Sequence, residues 1–264
     1  MLVSILWELD NPYSQRGEAM AAQQVEILDR SEMTDQLKEM ISLDPKETTI
    51  VTIDMHRGHL DPEVATMPAS DEDCESVISA AEEVLGFARS HGIPVVHVKL
   101  IFRKIPGLGS EGMRVHFWKA LHDIQDEKNR LTLGRKSTVN DHNIMGEVTT
   151  EMIPSLVEEG DYIIDNKKRL DCFMGTDLQM LLDSLGTKNV CLMGINTNTC
   201  VLNTAFTAFN YDYRVVMLSD CVKSMYGPDL HVFGMQNVMR CLGWVFDNEE
   251  FMDKVAEGAE GKKS

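Results

Sequence analysis

The sequence lacks the features of several specialised classes of protein. Its six cysteines are scattered and never form a Cys-x-x-Cys pair: Cys74, Cys172, Cys191, Cys200, Cys221 and Cys241. This spacing argues against a zinc knuckle or a disulfide scaffold and predicts reduced thiols in the cytoplasm. No stretch approaches the roughly 18 apolar residues of a membrane span. Residues 1–9 have neither the basic region nor the small-residue cleavage site of a signal peptide.

Positive charge is also scarce. The 25 Lys and Arg residues stand against 42 Asp and Glu residues, which leaves a formal net charge of −17. This balance argues against sequence-independent binding to nucleic acid or to an anionic membrane. A small anionic substrate remains compatible with it, because a pocket can be locally positive. We therefore expect the partner to be a small molecule.

What the sequence does contain is a regular alternation of two patterns. Apolar, β-branched runs predict strands at 48–55, 94–98, 162–165, 190–193, 214–218 and 244–246. Helical spacing predicts helices at 31–40, 76–90, 114–126, 151–158, 176–185, 202–209 and 228–241. The alternation predicts a Rossmann-like α/β fold, three layers α/β/α, with a six-stranded, mainly parallel sheet.

The chain shows no internal repeat, low-complexity tract or strong linker, so one main domain is predicted. Residues 1–45 are interpreted as an N-terminal arm and residues 46–264 as a single domain. The least periodic segment, 102–145, is interpreted as an insertion that could cover a pocket, with Phe117 and Trp118 either as pocket walls or as core. This segment also holds a basic patch of Arg130, Arg135 and Lys136. Arg135 or Lys136 could pair with a substrate carboxylate, and the alternative is that they are solvated surface charges.

The most informative stretch is 194–201, Gly-Ile-Asn-Thr-Asn-Thr-Cys-Val. An apolar run precedes it and a helical pattern follows it, which places Cys200 where a buried strand turns into a helix. The free N–H groups and the positive end of a helix dipole favour a thiolate at that position, so Cys200 is a candidate nucleophile. Taken alone, the same pattern also fits a small apolar residue buried in the first turn of a helix.

Two other reactive residues end strands of the predicted sheet. Asp54 follows the first strand and Lys167 follows the third, while Cys200 follows the fourth. The carboxyl ends of parallel strands meet at one edge of the sheet, so these side chains are expected to converge. A carboxylate can take the thiol proton and later give it to a leaving amine, and the ammonium can keep that carboxylate ionised. Backbone N–H groups of the turn before Cys200 could bind an oxyanion.

Three motifs in this order resemble the isochorismatase-like cysteine hydrolases. They are Ile-Asp-Met at 53–55, Lys167 six residues before the Phe-Met-Gly-Thr-Asp-Leu at 173–178, and the stretch 194–201. The resemblance runs from about Thr48 to Phe246 and is strongest to the N-carbamoylsarcosine amidase, ureidoacrylate hydrolase and biuret hydrolase type. It implies a hydrolase that cleaves a C–N bond of a small amide, ureido or carbamoyl compound.

The resemblance also implies roles for the site residues. Cys200 is the expected nucleophile, Asp54 the general base and acid, and Lys167 their electrostatic partner. A cis peptide bond is expected between Ile195 and Asn196, and the N–H groups of Asn196 and Cys200 are the expected oxyanion hole. The assembly implied is a homodimer or homotetramer.

The chain departs from related enzymes at two places that concern the reaction. Residues 98–103, Val-Lys-Leu-Ile-Phe-Arg, replace the metal loop of nicotinamidases, and His97 is predicted to be a strand residue. No metal and no other cofactor is therefore expected. Isochorismatases proper lack the cysteine, so the presence of Cys200 argues against cleavage of isochorismate.

Other departures concern the substrate pocket. His59 stands where the superfamily often has an aromatic residue, and Asp171 and Cys172 stand where it often has Ser-Ala. These three residues and Trp118 are predicted to contact the substrate. Asn196 replaces a residue that is usually small, so the pocket is expected to be more polar than that of a nicotinamidase.

Two other functions remain open from the sequence. The first is a catalytically idle binding or scaffold protein on the same fold, which the complete set of Asp54, Lys167 and Cys200 argues against. The second is a thiol redox sensor, in which Cys172 would be the partner of Cys200. The alkylation rate of Cys200 and a reversible disulfide under mild peroxide would distinguish these alternatives from the enzyme.

Overall fold

The computed structural model describes residues 27–124 and 140–261. In chain order the described helices and strands are α1 (Ser31–Lys38), β1 (Thr48–Ile53), α2 (Arg57–Leu60), α3 (Asp71–Ser90), β2 (Val95–Leu100), β3 (Lys104–Ile105), β4 (Gly109–Ser110), α4 (His116–Ile124), β5 (Tyr162–Lys167), α5 (Leu178–Ser184), β6 (Asn189–Ile195), α6 (Leu202–Asn210), β7 (Arg214–Lys223), α7 (Pro228–Asn237), β8 (Gly243–Phe246) and α8 (Asn248–Ala259). The main sheet has the strand order β5-β2-β1-β6-β7-β8, and all its neighbours are parallel. The predicted six-stranded parallel sheet is confirmed.

The core lies on both faces of this sheet. Successive side chains of a strand point to opposite faces, and in β1 Ile50 joins one apolar cluster while Val51 and Ile53 join the other. Buried residues of α3 and α8 complete the first cluster, and buried residues of α5 and α6 complete the second. The three-layer α/β/α arrangement predicted from the sequence is therefore confirmed.

The strand order determines which chain segments meet at the carboxyl edge of the sheet. β1 and β6 are central neighbours, so Asp54 and the residues after Ile195 leave the sheet side by side. β5 is separated from β1 by β2 alone, and its last residue, Lys167, pairs with Leu100 of β2. Ligands of parallel sheets bind beyond this edge.

The prediction of a helix at 151–158 is wrong. The structure has a single 3₁₀ turn there, Pro154–Leu156, and Met152 pairs in an antiparallel bridge with His56. Pro154 disfavours the helical conformation of the residue before it, and Ile153 is extended with ψ 119°. The apolar residues that suggested a helical face instead pack on the core from an irregular segment.

The acidic stretch that follows the last strand forms α8. Two of its acidic residues start the helix, since Asp247 and Glu250 form a reciprocal capping box there. Phe251 and Val255 lie on one face of the helix and are fully buried. The segment is therefore a packed helix with acidic residues in its first turn.

The helix predicted at 31–40 is confirmed as α1, and it packs at the edge of the sheet formed by β8. The indole of Trp244 donates a hydrogen bond to the carbonyl of Leu37 at 3.0 Å, and Lys38 pairs with Glu250 at 2.6 Å. Residues 27–44 thus contact the main domain. Within the described ranges, no helix is both long and apolar enough to cross a membrane.

Some predictions fall on residues that the structure does not describe. These are residues 1–26 of the proposed arm and the basic residues Arg130, Arg135 and Lys136. The described part of the 102–145 insertion contains β3, β4 and α4, and it returns to the sheet by a parallel bridge between Phe102 and Ile144. The division into an arm, a domain and a covering insertion stays a prediction.

Candidate active site

Asp54 lies at the end of β1 and is fully buried. Its backbone has φ 56°, in the left-handed region that a non-glycine residue rarely adopts. This conformation turns the carboxylate toward β2, where Oδ1 accepts a hydrogen bond from the backbone N–H of Leu100 at 2.7 Å. One oxygen of Asp54 is thus held by the sheet itself, and the other is left for a second partner.

That partner is Lys167 at the end of β5. Its Nζ donates a hydrogen bond to Oδ2 of Asp54, and both side chains are fully buried. Burial acts to lower the pKa of the ammonium, but the negative charge of Asp54 outweighs burial and raises that pKa. Lys167 is therefore a fixed positive charge beside the Asp54 carboxylate.

A close approach between β1 and β6 brings the third residue to this pair. Gly194 has φ 125°, and a Cβ atom there would lie 2.1 Å from the carbonyl oxygen of Ile53. Only glycine can occupy that position, because any side chain would collide with the backbone of β1. The following Ile195–Asn196 peptide bond is cis, as predicted. The chain then forms one wide π-helical turn, Thr197–Val201, before α6 begins at Leu202.

Cys200 lies in this turn, 5% exposed, and its thiol lies near enough to Asp54 and Lys167 to feel both charges. Burial raises the pKa of the thiol, and the carboxylate of Asp54 raises it further against the opposing charge of Lys167. The expectation of a helix-stabilised thiolate is therefore wrong. The turn does precede a helix, but burial disfavours the thiolate more than the charge of Lys167 favours it.

Cys172 lies close to the same charges and is fully buried. Its pKa is raised to about 12, chiefly by burial. The hydroxyl of Thr204 accepts a hydrogen bond from the backbone N–H of Cys172 at 3.1 Å and donates one to the carbonyl of Cys200 at 2.7 Å. Thr204 thus ties the 171–178 loop to the turn that carries Cys200. Thr204 carries no signal in the sequence, because no motif distinguishes it from other helical threonines.

Asp171 was predicted to contact the substrate. Its Oδ1 accepts a hydrogen bond from the backbone N–H of Phe173 at 2.9 Å, and its Oδ2 accepts one from the hydroxyl of Thr207 at 3.0 Å. Both oxygens therefore anchor the loop to α6. A role in substrate binding stays a prediction.

Trp118 is half-buried and packs against the small apolar cluster of Leu100, Phe102 and Ile144. Its ring stands edge-to-face on Phe102, with the centroids 6.0 Å apart. Phe117 on the same helix is exposed instead. Trp118 thus lies beside the strand whose Leu100 holds Asp54, and its contact with a substrate stays a prediction.

Three imidazole rings lie against one another in the segments around the end of β1. The segment 56–62 contains α2, and its two histidines are buried. The ring centroid of His59 lies 4.8 Å from that of His56 and 5.1 Å from that of His142. Nδ1 of His59 donates to the carbonyl of Met67 at 3.0 Å, since a carbonyl only accepts. His142 comes from the least periodic part of the sequence, which offered no signal for it.

His56 is the unusual member of this group. It is fully buried, and neither ring nitrogen has a hydrogen-bond partner among the residues described. Burial lowers its pKa well below the usual value, and the positive charges of His59, His142, Lys167 and Lys99 lower it further. The ring is therefore neutral near pH 7.

This lowered pKa predicts a dependence of stability on pH. Above about pH 6.5, the usual pKa of histidine, His56 is neutral in both folded and unfolded chains, so its contribution is constant. As the pH falls below that value, the unfolded chain takes up a proton that the folded chain does not, and stability is lost. Replacing His56 by Phe is expected to reduce the slope of unfolding free energy against pH between about 5 and 6.5 by up to about 1.4 kcal/mol per unit.

Urea unfolding of both proteins at a series of pH values measures this slope. At about pH 8 the histidine is neutral in both the folded and the unfolded chain. The difference in unfolding free energy between the two proteins at that pH therefore gives the effect of packing alone. Equal slopes in the two proteins would contradict the prediction.

A family model and several known proteins are similar to this chain. Residues 48–250 match the Isochorismatase domain model. The ureidoacrylate amidohydrolase RutB of Acinetobacter baylyi is 26% identical over 223 residues, which cover 81% of this chain and 86% of that relative.

Solved structures share the fold. A cysteine hydrolase from Pseudomonas syringae pv. phaseolicola 1448A has a TM-score of 0.68 at 18% identity, covering 82% of this chain and 96% of that chain. N-carbamoylsarcosine amidase from Thermoplasma acidophilum has a TM-score of 0.56 at 21% identity, and the match covers 77% of this chain and 97% of that chain. Since the family model spans most of the sequence, from β1 to the start of α8, the chain belongs to the isochorismatase domain family.

Proposed function

We propose that this isochorismatase-family hydrolase is a cysteine-dependent amidohydrolase that cleaves a C–N bond of a small amide, ureido or carbamoyl compound. The observation that carries the proposal is the buried ion pair of Asp54 and Lys167, which lies beside the buried thiol of Cys200 and acts on its charge. Two of the similar proteins are named for hydrolysis of this kind of bond, a ureidoacrylate amidohydrolase and an N-carbamoylsarcosine amidase.

The raised pKa of Cys200 determines how the reaction would begin. The resting thiol is protonated, so its proton must leave as the sulfur attacks. Asp54 accepts that proton while Sγ bonds to the substrate carbonyl carbon, whose oxygen becomes an oxyanion. The backbone N–H groups of Asn196 and Cys200 are the proposed donors to this oxyanion. The Lys167 ammonium pairs with this carboxylate and holds it in place.

The remaining steps return the enzyme to its resting state. Collapse of the tetrahedral intermediate breaks the C–N bond, and Asp54 gives its proton to the departing amine or ammonia. The product is a thioester or thiocarbamate on Cys200. A water molecule then loses a proton to Asp54 and attacks the acyl carbon, and the Cys200 sulfur leaves as the thiol after taking that proton back. No cofactor enters these steps.

The proposal is tested by trapping the covalent intermediate. The protein is incubated briefly with ureidoacrylate, N-carbamoylsarcosine, biuret or nicotinamide, quenched in acid, digested and analysed by mass spectrometry. We expect an acyl or carbamoyl adduct on Cys200 with at least one compound, together with release of ammonia or an amine. Hydrolysis with an adduct on another residue would contradict the proposal, and Asp54→Asn is the control that should not form the adduct.

A redox sensor is the second candidate, because Cys172 and Cys200 lie in the field of the same ammonium. Mild peroxide followed by non-reducing digestion distinguishes the two functions. A rapid, reversible Cys172–Cys200 disulfide without any turnover of the amides would favour the sensor. The cytoplasmic location and a homodimeric or homotetrameric assembly stay predictions.

A further inference from the structure

The turn that carries Cys200 lies against a segment that follows β7. Leu192 of β6 pairs with Met217 of β7, but Gly194, two residues on, pairs with Val222. β7 therefore carries extra residues in this interval. Regular pairing with β6 resumes at Gly194 and continues where Ile195 pairs with Lys223. Residues 224–234, named here the brace, consequently leave the sheet directly beside residues 196–200, named the nucleophile turn.

Two asparagines of the nucleophile turn bond to the first residues of the brace. Oδ1 of Asn196 accepts a hydrogen bond from the backbone N–H of Met225 at 2.9 Å. Oδ1 of Asn198 accepts one from the hydroxyl of Ser224 at 2.6 Å, and that hydroxyl accepts the backbone N–H of Tyr226 at 3.2 Å. Asn196, the unusual residue of the sequence motif, thus has a structural partner in the brace.

The residue between these asparagines bonds to the helical part of the brace. The hydroxyl of Thr197, which is fully buried, lies 2.8 Å from Nδ1 of His231 in α7. α7 also lies very close to the turn, because a Cβ at Gly234 would be 3.0 Å from the carbonyl oxygen of Thr197 and 3.1 Å from Cα of Asn198. Three consecutive side chains of the turn are therefore held from one side, with backbone packing on the same side.

These contacts use side-chain atoms of the nucleophile turn. In the proposed reaction, the backbone N–H groups of Asn196 and Cys200 hold the oxyanion, and the direction of each N–H depends on the orientation of its peptide plane. Donors contribute to catalysis only when they already point at the developing charge. Misplacement by about 1 Å can cost about 100-fold in rate.

We propose that His231 is a positioning residue that, through Thr197, holds the nucleophile turn in its reactive geometry. This inference rests on the proposed function and adds a residue that touches neither substrate nor the reacting atoms. Neither His231 nor the brace belongs to the three motifs that identify the family resemblance. Because positioning acts on the reacting geometry, its loss should lower kcat and leave KM nearly unchanged.

The test compares two replacements of His231. Phenylalanine keeps a ring but removes the hydrogen bond to Thr197, whereas asparagine retains a polar group near the position of Nδ1. We expect His231→Phe to lower kcat by about 10- to 100-fold with little change in KM, and His231→Asn to recover most of the loss. The assay uses whichever compound of the amide panel the wild-type protein hydrolyses.

Thr197→Val removes the same hydrogen bond from the other side with almost no change in side-chain shape, and it serves if His231→Phe does not fold. The double variant is expected to be no slower than the slower single variant, because both act through one bond. Asn237→Ala is the matched control, since Asn237 lies on the same helix and its side chain donates to the carbonyl of Phe233, away from the nucleophile turn. It should leave kcat unchanged.

Urea unfolding and the number of thiols that react with DTNB under native conditions check that each variant keeps the fold. A folded His231→Phe protein with wild-type kcat overturns the inference, and so does an equal loss in the Phe and Asn variants. Failure of the proposed function has a different signature, which is turnover that survives removal of the Cys200 thiol.

Discussion

Replacement of Cys200 by alanine is expected to abolish turnover, with a loss of at least about 10⁴-fold in kcat/KM. The reason is that the proposed acyl intermediate forms on the Cys200 sulfur, which alanine lacks. Release of ammonia or amine from the amide panel measures the effect. The fold should remain, because the change removes one small buried atom, at a cost of about 1–2 kcal/mol in unfolding free energy.

The matched control for this variant is Cys191→Ala. Cys191 is fully buried in β6, the strand that leads to the nucleophile turn, and it packs on the opposite face of the sheet from Cys200. Its replacement should lower the unfolding free energy about as much as Cys200→Ala does, and it should leave kcat/KM close to the wild-type value. Full activity of Cys200→Ala would exclude the nucleophilic mechanism, and equal loss in both variants would indicate a general packing defect.

The second large effect is expected at the buried ion pair of Asp54 and Lys167. Asp54→Asn keeps the shape of the side chain but removes the charge that compensates the Lys167 ammonium. An unpaired buried charge costs about 3–5 kcal/mol of stability. The variant should also lose turnover about as completely as Cys200→Ala, because an amide cannot accept the thiol proton. Urea unfolding and the amide assay measure the two effects separately.

A double variant, Asp54→Asn with Lys167→Met, separates charge burial from chemistry. Removing both charges should restore much of the unfolding free energy, because a buried pair is often no more stabilising than apolar groups of similar volume. Activity should stay absent. If the double variant were less stable than Asp54→Asn alone, the unpaired ammonium would not be the source of the first loss.

The positions of the catalytic candidates were predictable because each ends a strand with a clear apolar pattern. The β-branched run before Asp54 and the apolar run before Gly194 indicate buried strands, and helical spacing between strands indicates parallel connections. Parallel strands bring their carboxyl ends to one edge, which is where Lys167 and Asp54 meet. The contact between them therefore followed from local pattern and topology.

Other parts of the site carry no such local signal. The bond between Thr197 and His231 joins residues 34 positions apart. The extra residues of β7 lie between Met217 and Val222, where no sequence motif indicates them. The bond from Leu100 to Asp54 uses a backbone N–H, which every non-proline residue has. Such contacts depend on which surfaces the folded chain places together.

By itself, the sequence determined the six-stranded parallel sheet and the three residues at its carboxyl edge, because periodicity and strand ends are properties of short segments. Only the tertiary structure decided that Cys200 is a protonated thiol, that His56 is a buried neutral ring, and that the nucleophile turn is held by α7. Protonation depends on burial and on the charges that surround a group, and these come from distant parts of the chain.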